Sequence, residues 1–307
     1  MEDDFWTVIL TRRYVPHWLF GGGFLLLVIS AFVWWTQVYE NPYNVYWGML
    51  SNSLAVSSVT KYVTEQTTAE GLNQYIALNF GTHNFAYGRT VLKDSTSTVT
   101  TESIGTLQND YVRYTSIVTS AKNARGQRPN FSDVLGKWGK DEVVNTNMQT
   151  ESTPFFTQVM IGLSGGNIVP MANLSEQQRQ SLLLLLHQNV VFDTSFDNVG
   201  KSKTDGRVVY TYAVDIEPVA YVAFEKVFAS YIGIKSLENL NPNDYMDDAP
   251  IRVDLLVDAR AHRLAGIVYP GTKHTEAYSG YGVPVAVSIP TKTISDGALQ
   301  DLLGRAQ

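Results

Sequence analysis

The rhythm of apolar and polar positions changes twice along this chain. Between Arg13 and Glu40 there is no Lys, Arg, Asp or Glu, and Trp18 to Trp35, WLFGGGFLLLVISAFVWW, is apolar at almost every position. A helix from Pro16 to Val38 is about 34 Å long at ~1.5 Å per residue, enough to cross a hydrocarbon core of roughly 30 Å. Trp18 at one end and Trp34, Trp35 and Tyr39 at the other fall where interfacial aromatic belts lie. Arg12 and Arg13 precede the span and the next Lys or Arg is Lys61, so the positive-inside rule places the N-terminus in the cytoplasm. The pattern predicts a short cytoplasmic tail over residues 1–14, a transmembrane anchor over 15–39 and an extracytoplasmic domain over 40–307. A cleaved signal peptide competes, with small residues before Ala31. The apolar run is longer than a signal core, and Phe32, Trp34 and Trp35 crowd the region beyond it, which favours an uncleaved, single-pass anchor.

Beyond the anchor, Asn41 to Leu54 predicts a short helix with Pro42 in its first turn. From Ser57 to Ser120 the period becomes two. In EGLNQYIALNF, Leu72, Ile76, Leu78 and Phe80 share one strand face, and Asn73, Tyr75, Ala77 and Asn79 share the other. FAYGRTVL, TSTVTTES and NDYVRYTSIVTS continue the texture, predicting four or five antiparallel strands in a row. Ala121 to Asn173 is less regular. NLSEQQRQSLLLLLHQ then sets Ser175 three residues before Gln178, the spacing of a capping box, and Leu182 to Leu186 make that helix apolar nearly all round. It is expected to be buried on several sides.

The last third alternates strand and helix. GRVVYTYAVDIEP puts Val208, Tyr210, Tyr212, Val214 and Ile216 on one face, and Pro218 opens the helix VAYVAFEKVFASYIGI. PIRVDLLVD, RLAGIVYP, KHTEAYSGYG and VPVAVSIP then predict a terminal meander of about four strands. In YSGYGVPVAVSIP, Gly280 and Gly282 permit a bend entering a strand, and Pro284 and Pro290 fit an edge position; no helix follows the glycines to cradle a phosphate.

Composition narrows the function. Cysteine is absent, which removes disulfides, thiolate metal sites and cysteine nucleophiles. A formal net charge of −6 removes the basic footprint of nucleic-acid binding. GLSGG at Gly162 to Gly166 matches a nucleophile-elbow pattern around Ser164, but NIVPMAN after it is a poor helix. Ser58 and Lys61 match S-x-x-K within a β-branched stretch, which reads as strand entry and not as a catalytic helix. His17, His83, His187, His262 and His274 show no ligand spacing, and Asp244, Asp247 and Asp248 lack the pattern of a calcium loop. No catalytic residue, metal site or cofactor is expected.

The strand–helix unit, the hairpin VDLLVDARAHRLAGI and the phrase formed by Tyr281, Gly282, Pro284, Val285, Val287 and Pro290 resemble the end of the LolA/LppX-like family of extracytoplasmic lipoprotein carriers and lipid-binding proteins. The resemblance implies an α+β fold, a curved and mainly antiparallel half-barrel sheet with helices packed on its concave face. Several relatives carry a lipid on an N-terminal cysteine; here the apolar helix stands in that place. The Leu182 to Leu186 helix has no counterpart in the pattern.

The reading that follows is a membrane-anchored bacterial binding protein that holds a lipid or other apolar molecule between sheet and helices. The candidate cavity residues are Leu72, Ile76, Leu78, Phe80, Tyr210, Tyr212 and Val214, two same-parity sets that curvature would turn toward one interior. The alternative is a sensory or protein-interaction ectodomain at the cell envelope with a filled core.

Overall fold

The structure is a computed structural model that describes residues 15–67, 70–81, 84–122, 126–142, 155–160, 166–204, 206–237 and 240–306. Helix α1 (Val15–Trp34) ends in one wide turn (Trp35–Tyr39) and is followed by α2 (Pro42–Ser53). Asn41 caps α2 by accepting from the Tyr43 amide, and Pro42 occupies its first turn, where no backbone donor is needed. Five strands come next: β1 (Ser58–Gln66), β2 (Gly71–Phe80), β3 (Asn84–Lys93), β4 (Ser97–Thr106) and β5 (Asn109–Thr119). After β6 (Trp138–Glu142) come α3 (Phe155–Met160) and α4 (Glu176–Gln188). The chain continues through β7 (Phe192–Thr194), β8 (Gly200–Thr204), β9 (Arg207–Ile216) and α5 (Pro218–Ile232), then β10 (Ile251–Asp258), β11 (Arg263–Val268) and β12 (His274–Ser279). It closes with β13 (Thr293–Ser295) and α6 (Asp296–Ala306).

All these strands join one curved, unclosed sheet in the order β13-β6-β5-β4-β3-β2-β1-β12-β11-β10-β9-β7, with β8 on β9. Every pairing is antiparallel except β13 with β6. The predicted α+β half-barrel is the observed fold. Residues directly opposite in an antiparallel ladder point to the same face. The registers therefore trace a single transverse row on the inner face: Tyr114, Thr101, Thr90, Gln74, Val63, Glu276, Ile267, Leu255 and Tyr212, one from each of nine adjacent strands.

The core lies on that inner face. Tyr46, Met49 and Leu50 of α2, Leu182 and Leu186 of α4, and Tyr221, Phe224 and Phe228 of α5 join Ile76, Leu78, Tyr212, Val214, Val253 and Leu255 in one cluster. The short α3 approaches the sheet where side chains are missing. The Phe155 ring lies over Gly88, and the Phe156 amide nitrogen would be 2.5 Å from a Cβ at Gly105. Asp110, opposite Gly105 on β5, accepts from the Phe155 amide at 2.7 Å.

Two local expectations change. The capping box of α4 forms, with Ser175 and Gln178 bonded reciprocally, but the helix buries only Leu182 and Leu186 fully while Leu184 is exposed. A run of five leucines carries no facial information; the packing of α2 and α5 against one side picks the buried pair. The segment 283–290 is not a strand. Gly280 and Gly282 bend the chain at φ +61° and +74°, and the Gly282 amide donates to Ser58. Both sides of β12 are already taken by β1 and β11, so the chain leaves the sheet and rejoins it as β13 at the far edge.

Gly105→Ala is expected to destabilise the fold by about 1–3 kcal/mol, because the Cβ meets the backbone of α3 and no side chain can swing aside. Gly71→Ala, whose Cβ meets nothing within 4 Å, serves as the control and should leave the melting temperature nearly unchanged. Equal melting temperatures for the two variants would contradict this packing.

Candidate ligand-binding site

The inner face is filled unevenly. Over β9 to β12 and much of β1 and β2, helices cover it and the side chains pack. Over β3, β4 and β5 a cleft of about 660 Å³ remains. Its floor is formed by Thr90 and Leu92, Ser97, Val99 and Thr101, and Tyr114, Ile117 and Thr119, all at inner-face registers. Phe131 and Pro129 from the loop after β5, together with Leu303 of α6, close its sides. Helix α6 reaches this place because Leu299 packs against β6 where Gly139 has no side chain. The cleft is apolar at Leu92, Val99, Ile117, Phe131 and Leu303, ringed by hydroxyls, and Lys122 is the charged residue among the described residues that line it.

The seven candidates from the sequence lie on the inner face, but none lines the cleft. Ile76, Leu78, Phe80, Tyr210, Tyr212 and Val214 are buried in the packed cluster, and Leu72 is half-buried opposite Leu92, at the cleft's margin. Tyr212 stacks obliquely on Tyr46 at 5.2 Å and donates its hydroxyl to the Pro42 carbonyl at 2.8 Å. Tyr210 donates to the Glu40 carbonyl at 3.0 Å. These tyrosines grip the chain where it leaves α1.

That junction is heavily bonded. Tyr39 stacks between Trp35 at 4.5 Å and His262 at 4.3 Å, and its hydroxyl donates to the Arg260 carbonyl. His262 Nε2 lies 3.0 Å from the Tyr39 carbonyl, and Asn44 donates to the Val38 carbonyl at 2.7 Å. The exit of α1 is thus fixed to the rim where β10 turns into β11. Following strand direction across the sheet, this rim also carries the starts of β1, β3 and β5. The cleft sits at the ends of β3 and β5, on the opposite rim. One helix among the described residues is long and apolar enough to cross a membrane; its window Gly22–Tyr39 has a mean hydropathy of 1.5 and is not buried by the rest of the chain.

Polar chemistry missed in the sequence lies at the middle of the inner face. Lys61 and Glu276 form an ion pair at 2.9 Å with side chains 1% and 0% exposed. Lys61 also donates to the Gly166 carbonyl at 2.9 Å, and Glu276 accepts from Tyr278 at 2.5 Å and Tyr269 at 3.3 Å. His274 bridges Glu276 at 3.2 Å and the half-exposed Glu65 at 3.4 Å, leading the network to the surface. Burial pushes the Lys61 amine down, and the Glu276 charge opposes it. Burial alone would raise Glu276, but bonds from His274, Lys61 and Tyr278 outweigh it and hold the carboxyl below its usual range. The Glu276 bond raises His274 above an ordinary histidine, partly offset by burial.

The S-x-x-K pair falls on β1, and three residues along a strand point Ser58 and Lys61 to opposite faces. Ser164 lies outside the described residues, as does His83. His187 is exposed beside Trp47, and Asp244 accepts from the Asn241 side chain. No group of three metal-ligating side chains occurs among the described residues.

No family model and no curated protein matches this chain. Among solved structures, the crystal structure of LprF from Mycobacterium bovis is similar with a TM-score of 0.42 and 14% sequence identity, over 81% of this chain and 96% of that one.

Lys61→Met should destabilise the domain by about 3–5 kcal/mol, since it strands the Glu276 charge; adding Glu276→Gln should recover part of that loss. A folded-state His274 that binds its proton more tightly than the unfolded chain contributes stability fully below about pH 6.5, lost as pH rises through the folded value. The melting-temperature advantage of wild type over His274→Gln should therefore shrink between pH 6 and pH 9, and a constant or growing advantage would contradict the bridge.

Proposed function

We propose that the protein is a membrane-anchored, extracytoplasmic binding protein that holds a lipid or another apolar molecule in the cleft over β3, β4 and β5. The observation that carries this reading is the contrast within one continuous inner face, packed on one side and open on the other over Leu92, Val99 and Ile117, with Leu303 of α6 beside them. A volume of about 660 Å³ falls in the usual range of small-molecule sites. Apolar burial would supply most of the affinity, and the hydroxyls of Thr90, Ser97, Thr101 and Thr119 would orient a polar group at the rim. In this reading α1 spans the bilayer with residues 1–14 inside, and its bonded exit holds the cleft's mouth away from the anchoring membrane. No step here calls for a catalytic group or a cofactor.

A second reading, contact with a protein partner at the cell envelope, is favoured by the outer face. Tyr62, Tyr75 and Tyr87 form a row with ring centroids 5.3 and 6.2 Å apart, and Tyr62 is 47% exposed. Tyrosine is enriched in such contact surfaces.

A photoactivatable alkyl lipid, presented to the full chain in lipid nanodiscs, should label peptides containing residues 90–101, 114–122 and 303. Val99→Trp should remove that labelling by filling the cleft, with a stability loss of no more than about 1–3 kcal/mol. Labelling confined to residues 15–39 in wild type would sink the binding function.

A further inference from the structure

Four polar side-chain atoms without well-aligned partners lie buried in the core, two on the segment that Lys61 holds and two on α5. The segment Gly166 to Ile168 crosses the inner face held from several directions. Lys61 donates to the Gly166 carbonyl at 2.9 Å, Tyr221 donates to the carbonyls of Asn167 at 3.3 Å and Ile168 at 3.0 Å, and the Asn167 amide donates to the Val159 carbonyl at 2.9 Å. The backbone of Asn167 is therefore fixed and satisfied. Its carboxamide is not: Oδ1 and Nδ2 have no partner, and the residue is 0% exposed. One turn along α5 from Tyr221, Glu225 is 3% exposed; the Tyr221 hydroxyl lies close enough to act on its carboxyl, but that proton is directed to the Asn167 and Ile168 carbonyls, which leaves both carboxyl oxygens without a well-aligned hydrogen bond. Folded proteins leave few buried polar groups unpaired, so two such side chains on elements that meet at one tyrosine hydroxyl call for a partner from outside the chain or for trapped water.

We propose that Asn167 and Glu225 recognise the neutral, hydrogen-bonding head of an apolar ligand, an ester or hydroxyl of the glyceride type. The proposal rests on the binding function above and deepens it.

The chemistry selects a neutral group. Burial pushes the Glu225 carboxyl up to about 8, against a smaller lowering by the Tyr221 hydroxyl, so at neutral pH it carries a proton and offers one donor and one acceptor. The Asn167 carboxamide adds two donors and an acceptor. Lys61, the cation that holds the adjoining Gly166 carbonyl, is already paired with Glu276, and Tyr221, Tyr269 and Tyr278 are neutral phenols whose ionisation burial opposes. A phosphate or carboxylate would meet no free positive charge among the described residues; an ester carbonyl next to a hydroxyl would meet complementary donors and acceptors. Helix α3 connects the two places. Phe155 at its start lies over Gly88, adjacent on the β3 inner face to Thr90 of the cleft, and Val159 near its end holds Asn167. A ligand would enter head first, its polar end at Asn167 and Glu225 and its chain toward the mouth.

The test compares two photoactivatable probes of equal chain length on the full chain in lipid nanodiscs, a monoacylglycerol and a plain hydrocarbon. Wild type should be labelled on inner-face peptides at least about tenfold more efficiently by the monoacylglycerol, because a site built to bond a hydroxyl discriminates against the analogue lacking it. Asn167→Leu and Glu225→Leu should each cut that preference severalfold while hydrocarbon labelling stays within about twofold, with thermal melts confirming the fold. Equal labelling of wild type by both probes overturns the proposal, as does a preference that survives in both variants, which would leave the four atoms bonded only to trapped water. Absence of inner-face labelling by either probe is a different result and overturns the binding function itself.

Discussion

The pairing of β1 with β12 is the constraint on which the rest of the molecule depends. It joins two meanders from opposite ends of the sequence, β2 to β6 on one side and β9 to β11 on the other, into a single curved sheet with a single inner face. The buried Lys61–Glu276 pair sits on that seam, one residue from each strand. A buried pair is weak evidence for stability, because desolvation opposes the Coulomb attraction. Its bonds are directional, however. Lys61 also holds the Gly166 carbonyl, and Glu276 collects Tyr278, Tyr269 and His274, so the network fixes both the strand register and the position of the segment crossing above it.

From this seam the filling of the inner face follows. On the β9 side, α2, α4 and α5 lay aromatic and aliphatic side chains onto Tyr212, Val214 and Leu255, and the space closes. On the other side the covering elements are sparse. The short α3 rests on two glycines, and α6 arrives only after the chain from β12 has crossed to the far edge and paired with β6. The cleft is what this unequal cover leaves. The same asymmetry separates it from the exit of α1, which is bonded to the β10–β11 turn by Tyr39, His262 and Asn44.

Much of the fold was legible because a strand with one buried face prints a period of two. Ile76, Leu78 and Phe80, and Tyr210, Tyr212 and Val214, each share one strand face by alternation alone, and Ser175, Gln178 and Pro218 mark helix starts by local chemistry. What stayed hidden depended on third parties. Alternation in VPVAVSIP reports only that Val285 and Val287 are half-buried, while a strand also needs a neighbour with free donors, and β12 had none left. Five identical leucines hide which side a helix buries. Nothing local in SVTKYV or HTEAYS announces that Lys61 and Glu276 will meet. The cavity candidates share the inner face with the cleft, yet which part of that face the helices fill is decided across the sheet, where a linear pattern carries no information.

The central claim is that an apolar chain occupies the open part of the inner face. Isotope-filtered nuclear Overhauser measurements on methyl-labelled full-length protein in nanodiscs, with a protonated acyl ligand, address it most directly. The account predicts ligand-chain contacts to the methyl groups of Leu92, Val99, Ile117 and Leu303 and none to Val214 or Leu255, which lie in the packed half. Contacts restricted to Leu25 to Val33 of the apolar helix, with the cleft methyls silent, would contradict it.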